Sequence, residues 1–276
     1  MQRQTVSNGE VELSYEVTGE GPTLLLLHGW PDTGALWNDV VPDLVEAGYR
    51  VVVPDLRGCG RSAKPAETAS YQMHHLVGDV QCIVDAVGAE RVTLVGHDWG
   101  AALAWTVAAY LPERVEALVV ISVGHANAFY GAGLAQQMKS WYIMLFIQEG
   151  LAEAFLRKND YEFIRIGHPR SDAVIAELER DGQLSSHLRW YRANIAMDAF
   201  VTERPEMASV ASPTLGIWSS GDFGLTERQM KESAAYCTGG FTFVRLEGFG
   251  HWVPLEAPRE LAREILDFLR PIHAPA

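Results

Sequence analysis

Asp98, Asp222 and His251 follow one another along this chain in the order of a nucleophile, an acid and a base. Asp98 lies in Gly96-His-Asp98-Trp-Gly100, between an apolar run from Val92 and an Ala-rich run to Leu111. The pattern reads as strand, sharp turn, helix: a nucleophile elbow with aspartate at the centre where serine is usual. Small residues on both sides permit a strained turn that lifts the central side chain clear of a sheet. A serine attacking a saturated carbon would leave an ether, which water cannot readily cleave. A carboxylate leaves an alkyl ester, whose carbonyl an activated water can attack. Asp98 therefore points to displacement at sp3 carbon through a covalent intermediate, with epoxides and alkyl halides as the substrate classes. Taken singly, Asp98 reads equally as a turn residue or helix N-cap, and Asp222 more readily as an ordinary Gly-Asp turn. Their order and strand-end positions, together with His251, favour the catalytic reading.

Each role follows from chemistry. Asp222 would orient His251 and stabilise its imidazolium. His251 would take a proton from water, since a carboxylate nucleophile has none to give up. Epoxide opening also needs a proton donor for the departing oxygen, and a tyrosine hydroxyl can supply it. Tyr142, in Ser140-Trp-Tyr142, and Tyr191, in Arg189-Trp-Tyr191-Arg, are the candidates. Each is equally readable as an aromatic packed at a lid–core contact. The segment His28-Gly-Trp30-Pro31 ends an apolar run and predicts a sharp loop, with a cis bond before Pro31. That loop could present the Trp30 backbone N–H to an oxyanion, while His28 ties it down.

The elements that must hold these residues are legible in the hydrophobic pattern. Strands are expected over 11–17, 23–27, 49–54, 92–96, 115–123, 213–218 and 241–246. Helices are expected over 36–47, 74–87 and 258–270, with Gly88 closing the second. Thr226 and Gln229 predict a capping box. Alternating apolar strands and helices imply a mostly parallel, doubly wound sheet, with ligands beyond the carboxyl ends of its strands. Between about 127 and 208 the rhythm stops, and aromatic-rich helical stretches cover 136–148, 151–159, 172–180 and 185–197. The expected division is thus a core over 1–126 and 209–276, interrupted by a helical lid over 127–208.

Composition narrows the rest. The 276 residues are 48% hydrophobic and 21% charged, enough for a sizeable core. A net charge of -13 argues against nucleic acid and anionic membranes as partners. Met1-Gln-Arg-Gln4 leads into polar sequence without a visible signal peptide, and no apolar run is long enough to span a bilayer. Cys59, Cys82 and Cys237 match neither a disulfide framework nor a zinc site. A cytoplasmic protein without metal or cofactor is expected. The Asp55-Leu-Arg57-Gly-Cys-Gly60 loop lacks a phosphate-binding pattern, and His74-His75 lacks metal-site spacing.

Four motifs carry a resemblance: His28-Gly-Trp-Pro31; Gly96-His-Asp98-Trp-Gly100; the pair Trp141-Tyr142 and Trp190-Tyr191-Arg192-Ala-Asn194; and Gly250-His251-Trp252. Along nearly its whole length the chain resembles the α/β-hydrolase-fold epoxide hydrolases. The first two motifs are shared with haloalkane dehalogenases; the lid pair is the more specific. The resemblance implies an α/β-hydrolase fold with an inserted helical lid, and a cofactor-independent conversion of an epoxide to a vicinal diol. It also implies that Tyr142 and Tyr191 are the ring-opening proton donors and that the backbone N–H groups of Trp30 and Trp99 form the oxyanion hole. The chain departs from relatives at Ile147-Gln-Glu-Gly150, where Gln-Glu-Pro-Gly is frequent, and at His125-Ala126, where His-Pro is. A haloalkane dehalogenase, with the Trp99 indole on the halide, is the alternative enzyme. A non-catalytic hydrolase-fold binder of small molecules is the alternative outside catalysis. The expected partners are a small apolar epoxide and water. The sequence leaves open which epoxide, the regio- and enantiopreference, and whether the chain is a monomer or homodimer.

Overall fold

The computed structural model describes residues 2–180 and 182–273. Eight strands, β1 (Gln2–Asn8), β2 (Val11–Thr18), β3 (Thr23–Leu27), β4 (Arg50–Pro54), β5 (Val92–His97), β6 (Val115–Ile121), β7 (Thr214–Ser219) and β8 (Phe241–Leu246), form one sheet. Their order is β1-β2-β4-β3-β5-β6-β7-β8. Only the pairings of β2, with β1 and with β4, are antiparallel. From β4 to β8 every pairing is parallel. The central strands β5 and β7 are buried at every position, as strands covered on both faces must be. The chain runs outward from β3 to β4, then crosses back to β5, so the strand order reverses between β3 and β5. Such a reversal opens a crevice at the carboxyl ends of the strands.

Both faces are covered by helices. α1 (Val41–Glu46) and the terminal α13 (Pro258–Leu269) cover one; α2 (Met73–Ala86) and α3 (Trp99–Tyr110) cover the other. α13 turns Leu261, Ala262, Ile265 and Leu269 inward at helical spacing and starts with Pro258 at its first position. α3 differs: its Ala-rich sequence is buried nearly all round, which lets it pack close against the central strands β3, β5 and β6. A side chain at Gly100 would meet the Leu27 carbonyl oxygen at 2.1 Å, so only glycine lets α3 approach β3 this closely. Trp37 and Trp105 are fully buried. Truncating either to alanine is expected to cost about 3–5 kcal/mol.

Between β6 and β7 the described residues form no strand beyond an isolated bridge at Val210. Instead come seven helices: α4 (Ala126–Gly131), α5 (Leu134–Lys139), α6 (Trp141–Phe146), α7 (Leu151–Arg157), α8 (Glu162–Gly167), α9 (Ser171–Leu178) and α10 (Gln183–Asn194). They share a core of their own, including Phe146, Leu156, Ile164, Leu178 and Leu188, which also takes in Trp30 from the sheet side. After β7 come α11 (Glu227–Glu232) and, following β8, α12 (Val253–Glu256).

Several expectations need correction. The helix expected over 36–47 is a 3-10 turn, Gly34–Trp37, followed by the short α1, with Pro42 near its start. The single helix expected over 136–148 is α5 and α6, separated at Ser140. The Thr226–Gln229 capping box does not form. The Thr226 hydroxyl donates to Gln136 Oε1, and Gln229 reaches across to Ser122 and Gly124 instead. β1, α4, α8 and α12 lie outside the expected elements. The cis bond lies where the sequence placed it, at Trp30-Pro31. The three cysteines are unpaired.

Candidate active site

Asp98 follows β5 with φ 53° and ψ -120°, a left-handed conformation that a non-glycine residue holds only under constraint. The turn is held by the Ala101 and Ala102 N–H groups, which both donate to the Asp98 carbonyl. It aims the carboxylate at the loop after β3. There the Trp30 N–H donates to Asp98 Oδ1 at 2.8 Å. A side chain at Gly29 would overlap Asp98 Oδ1 at 2.5 Å, so this approach requires glycine. His28 anchors the loop as expected: Nε2 accepts from the Leu56 N–H, leaving Nδ1–H to donate to the Gly29 carbonyl, each at 3.0 Å. Burial lowers its pKa, consistent with a neutral ring. Trp99 is the first residue of α3, where helix geometry leaves an N–H without an intrahelical partner.

His251 lies in the loop after β8. Its Nδ1 is 2.9 Å from Asp222 Oδ2, and its Nε2 is 3.7 Å from Asp98 Oδ2. Asp222 is buried, and its Oδ1 accepts from the Gly224 and Leu225 N–H groups at 2.8 and 2.9 Å. Burial alone would raise its pKa. His251 and these two donors outweigh burial and hold it below the usual carboxylate range. For His251, burial pushes the imidazole down, but Asp222 and then Asp98 outweigh it and raise it to about 10. The ring thus sits as an imidazolium between two carboxylates.

Tyr142 on α6 and Tyr191 on α10 border the same space. Their ring centroids are 6.5 Å apart at 76°, and Tyr191 lies edge-on to Trp99 at 5.0 Å. Burial raises the pKa of both phenols and the nearby Asp98 charge raises them further, so both stay protonated. Two cavities meet at Asp98, Tyr142 and Tyr191. One, of about 260 Å³, is walled mainly by apolar side chains such as Trp105, Phe129, Ile143 and Leu225. The other, of about 20 Å³, is bounded by His251, Trp30 and Trp252. The second is about the size that one water needs. Among the described residues no group of three or more His, Cys, Asp or Glu is placed to hold a metal.

The structure adds positioning residues that sequence reasoning missed. His97 Nε2 and the Ser122 hydroxyl both donate to the His251 carbonyl, at 2.9 and 3.3 Å, pinning the histidine loop against the ends of β5 and β6. Burial lowers His97 to about 4, so it acts as a neutral donor. Its place beside Asp98 was the one signal available. Asp32, one residue past Pro31, is buried. It accepts from the Trp252 indole at 3.0 Å and from His168 Nε2 at 3.2 Å. Because His168 Nδ1 accepts from the Arg170 N–H, the Nε2 carries the proton. Asp32 thereby ties the loop after β3, the residue following His251 and the end of α8 together.

Comparison with known proteins agrees with this architecture. A family model described as alpha/beta hydrolase fold matches residues 22–258. The chain is 31% identical to the AB hydrolase superfamily protein YfhM of Bacillus subtilis, with 97% of each chain covered. It is also 31% identical to epoxide hydrolase 3 of Xenopus tropicalis, over 94% of this chain and 75% of that one. Among solved structures, one reported with novel epoxide hydrolases from hot-environment metagenomes superposes with a TM-score of 0.84 at 27% identity, covering 97% of this chain and 98% of the other. With a family model matched over residues 22–258 and a relative 31% identical across most of both chains, the chain belongs to the alpha/beta hydrolase fold family and is epoxide hydrolase-like within it.

Proposed function

We propose that this protein hydrolyses an epoxide to a vicinal diol through a covalent ester on Asp98, with 127–208 serving as the lid over the reaction. The observation that carries this reading is the pairing of a carboxylate nucleophile with two protonated tyrosines on one side and a histidine base on the other. Displacing a halide needs no acid, so the two phenols favour an epoxide over an alkyl halide.

The Trp30 N–H holds Asp98 Oδ1, leaving Oδ2 as the attacking atom. Oδ2 forms a bond to an oxirane carbon as the carbon–oxygen bond breaks. The leaving oxygen takes its proton from Tyr142 or Tyr191. Asp98 is now an uncharged ester, and His251 has lost one of the two anions that raise its pKa. Its pKa falls at the moment a base is needed. The proton that His251 sheds returns the tyrosinate to its phenol. Neutral His251 then takes a proton from a water in the small cavity, and the hydroxide attacks the Asp98 carbonyl carbon. The oxyanion develops on Oδ1, against the N–H groups of Trp30 and Trp99. Collapse releases the diol, protonated by the imidazolium that Asp222 stabilises, and the regenerated Asp98 carboxyl then passes its proton to His251 to restore the resting pair.

A single turnover in 18O-labelled water tests this. The label should enter Asp98, detected by mass spectrometry of the peptide carrying it. Label found only in the diol would exclude the ester.

A further inference from the structure

Resting on the epoxide reading, we propose that the preferred substrate carries a carboxylate at the end remote from its oxirane, and that Arg204 recognises it. The larger cavity runs from the buried Asp98 to the surface, where Arg204 is exposed. Among its lining residues Asp98 and Arg204 are the only charged ones. The other polar side chains away from the tyrosines of the site are already engaged. The Thr106 hydroxyl donates to the Ala102 carbonyl. Asn194 accepts from the Met73 N–H and donates to the Tyr71 and Trp190 carbonyls.

Arg204 is different. Its guanidinium lies 4.3 Å over the face of the Tyr130 ring, which also lines the cavity. A guanidinium stacked on a ring keeps its in-plane N–H donors free, and that fork matches a carboxylate. None of the ion pairs among the described residues involves it. The Tyr130 hydroxyl beside it can add a further donor. Between this end and Asp98 the wall is apolar, from Phe129, Trp105, Ile143, Ile195 and Met207. An oxirane at Asp98, an apolar spacer and a terminal anion at Arg204 would meet a complementary group at each point. An exposed cation also matters more in a chain of net charge -13, whose field otherwise repels an anionic substrate.

The test compares 10,11-epoxyundecanoate with its primary amide, which has the same shape and no charge. In low salt the acid should show about tenfold higher kcat/KM than the amide, chiefly through KM. The acid-to-amide ratio should fall toward one in Arg204→Gln, be partly kept in Arg204→Lys, and shrink as salt is raised. An equal rate for acid and amide in the wild type would overturn the proposal, as would a ratio that Arg204→Gln leaves intact. Either result would leave the epoxide reading standing. Turnover of neither substrate, with Asp98 unlabelled, would overturn the epoxide reading and this proposal with it.

Discussion

Tyr191 and Tyr142 border the same carboxylate, but the helices that carry them are held in different ways. α10 is bonded directly to the sheet-side loop after β4. The Trp190 indole donates to the Arg57 carbonyl at 2.9 Å, and Asn194 bonds to both Tyr71 and Met73. Ser186 adds a bond to the Gly58 carbonyl. That loop is itself fixed by the buried Arg57–Asp79 ion pair. α6 has only six residues, and none of its side chains hydrogen-bonds to the sheet-side loops among the described residues. Its neighbour α5 makes the polar contacts: Lys139 to the Asp222 carbonyl at 2.6 Å, and Gln136 to Gly224 and Thr226. Tyr191 is therefore preset by the core. Tyr142 depends on the loop that also carries Asp222, so on the proposed roles disturbing that loop should affect both Tyr142 and His251.

The largest effect should come from removing what both helices serve. Asp98→Ala is expected to lower diol formation by at least about 10⁴-fold without loss of fold, measured by product assay beside circular dichroism. Next come the tyrosines. Tyr191→Phe and Tyr142→Phe should each slow ester formation by about 10²-fold, and the double variant more, in rapid-quench measurements. A normal rate in the double variant would remove the tyrosines from the reaction. Third, the tethers should separate. Trp190→Phe leaves the Arg57 carbonyl with only the weak Cys59 thiol donor, at 3.8 Å, and is expected to cost about 1–2 kcal/mol in denaturant unfolding. Gln136→Leu should cost a similar amount and also slow ester hydrolysis, because its loop carries Asp222.

The pH dependence bears on His251 alone. The folded pKa of His251, about 10, lies above its ordinary value near 6.5. Its contribution to stability is therefore fully present below pH 6.5 and lost as pH rises through about 10. The melting-temperature advantage of wild type over His251→Gln should shrink across that window; a constant advantage would mean that the ring is not held charged. The smallest effect belongs to the exposed Arg170–Asp39 pair, where Arg170→Ala should cost at most about 1 kcal/mol.

Much of the site was legible because its motifs are local. Gly96 to Gly100 encodes strand, turn and helix within a few residues, and the His28 loop announces itself through glycine and proline at the end of an apolar run. What was missed lies elsewhere. β1 reads as polar sequence because it is a half-exposed edge strand, made a strand only by pairing with β2 from Gln2↔Val17 to Asn8↔Val11. Gln229 has the spacing of a capping residue, yet bonds to Ser122 and Gly124 because those groups lie buried beside α11. Asp32 and His168 are 136 residues apart, and no local pattern joins them.

Taken alone, the sequence determined the carboxylate at the elbow, the chain order Asp98, Asp222, His251, and the alternation that makes a parallel sheet. These depend on side-chain chemistry and short-range periodicity, which a linear string contains. Only the tertiary structure decided that Trp30 holds one Asp98 oxygen while His251 sits beside the other. It alone brought Tyr142 and Tyr191 to a shared cavity wall and put Arg204 at the cavity's far end. Those are distances between segments separated by tens to hundreds of residues, set by how the sheet twists and how the helices pack over it.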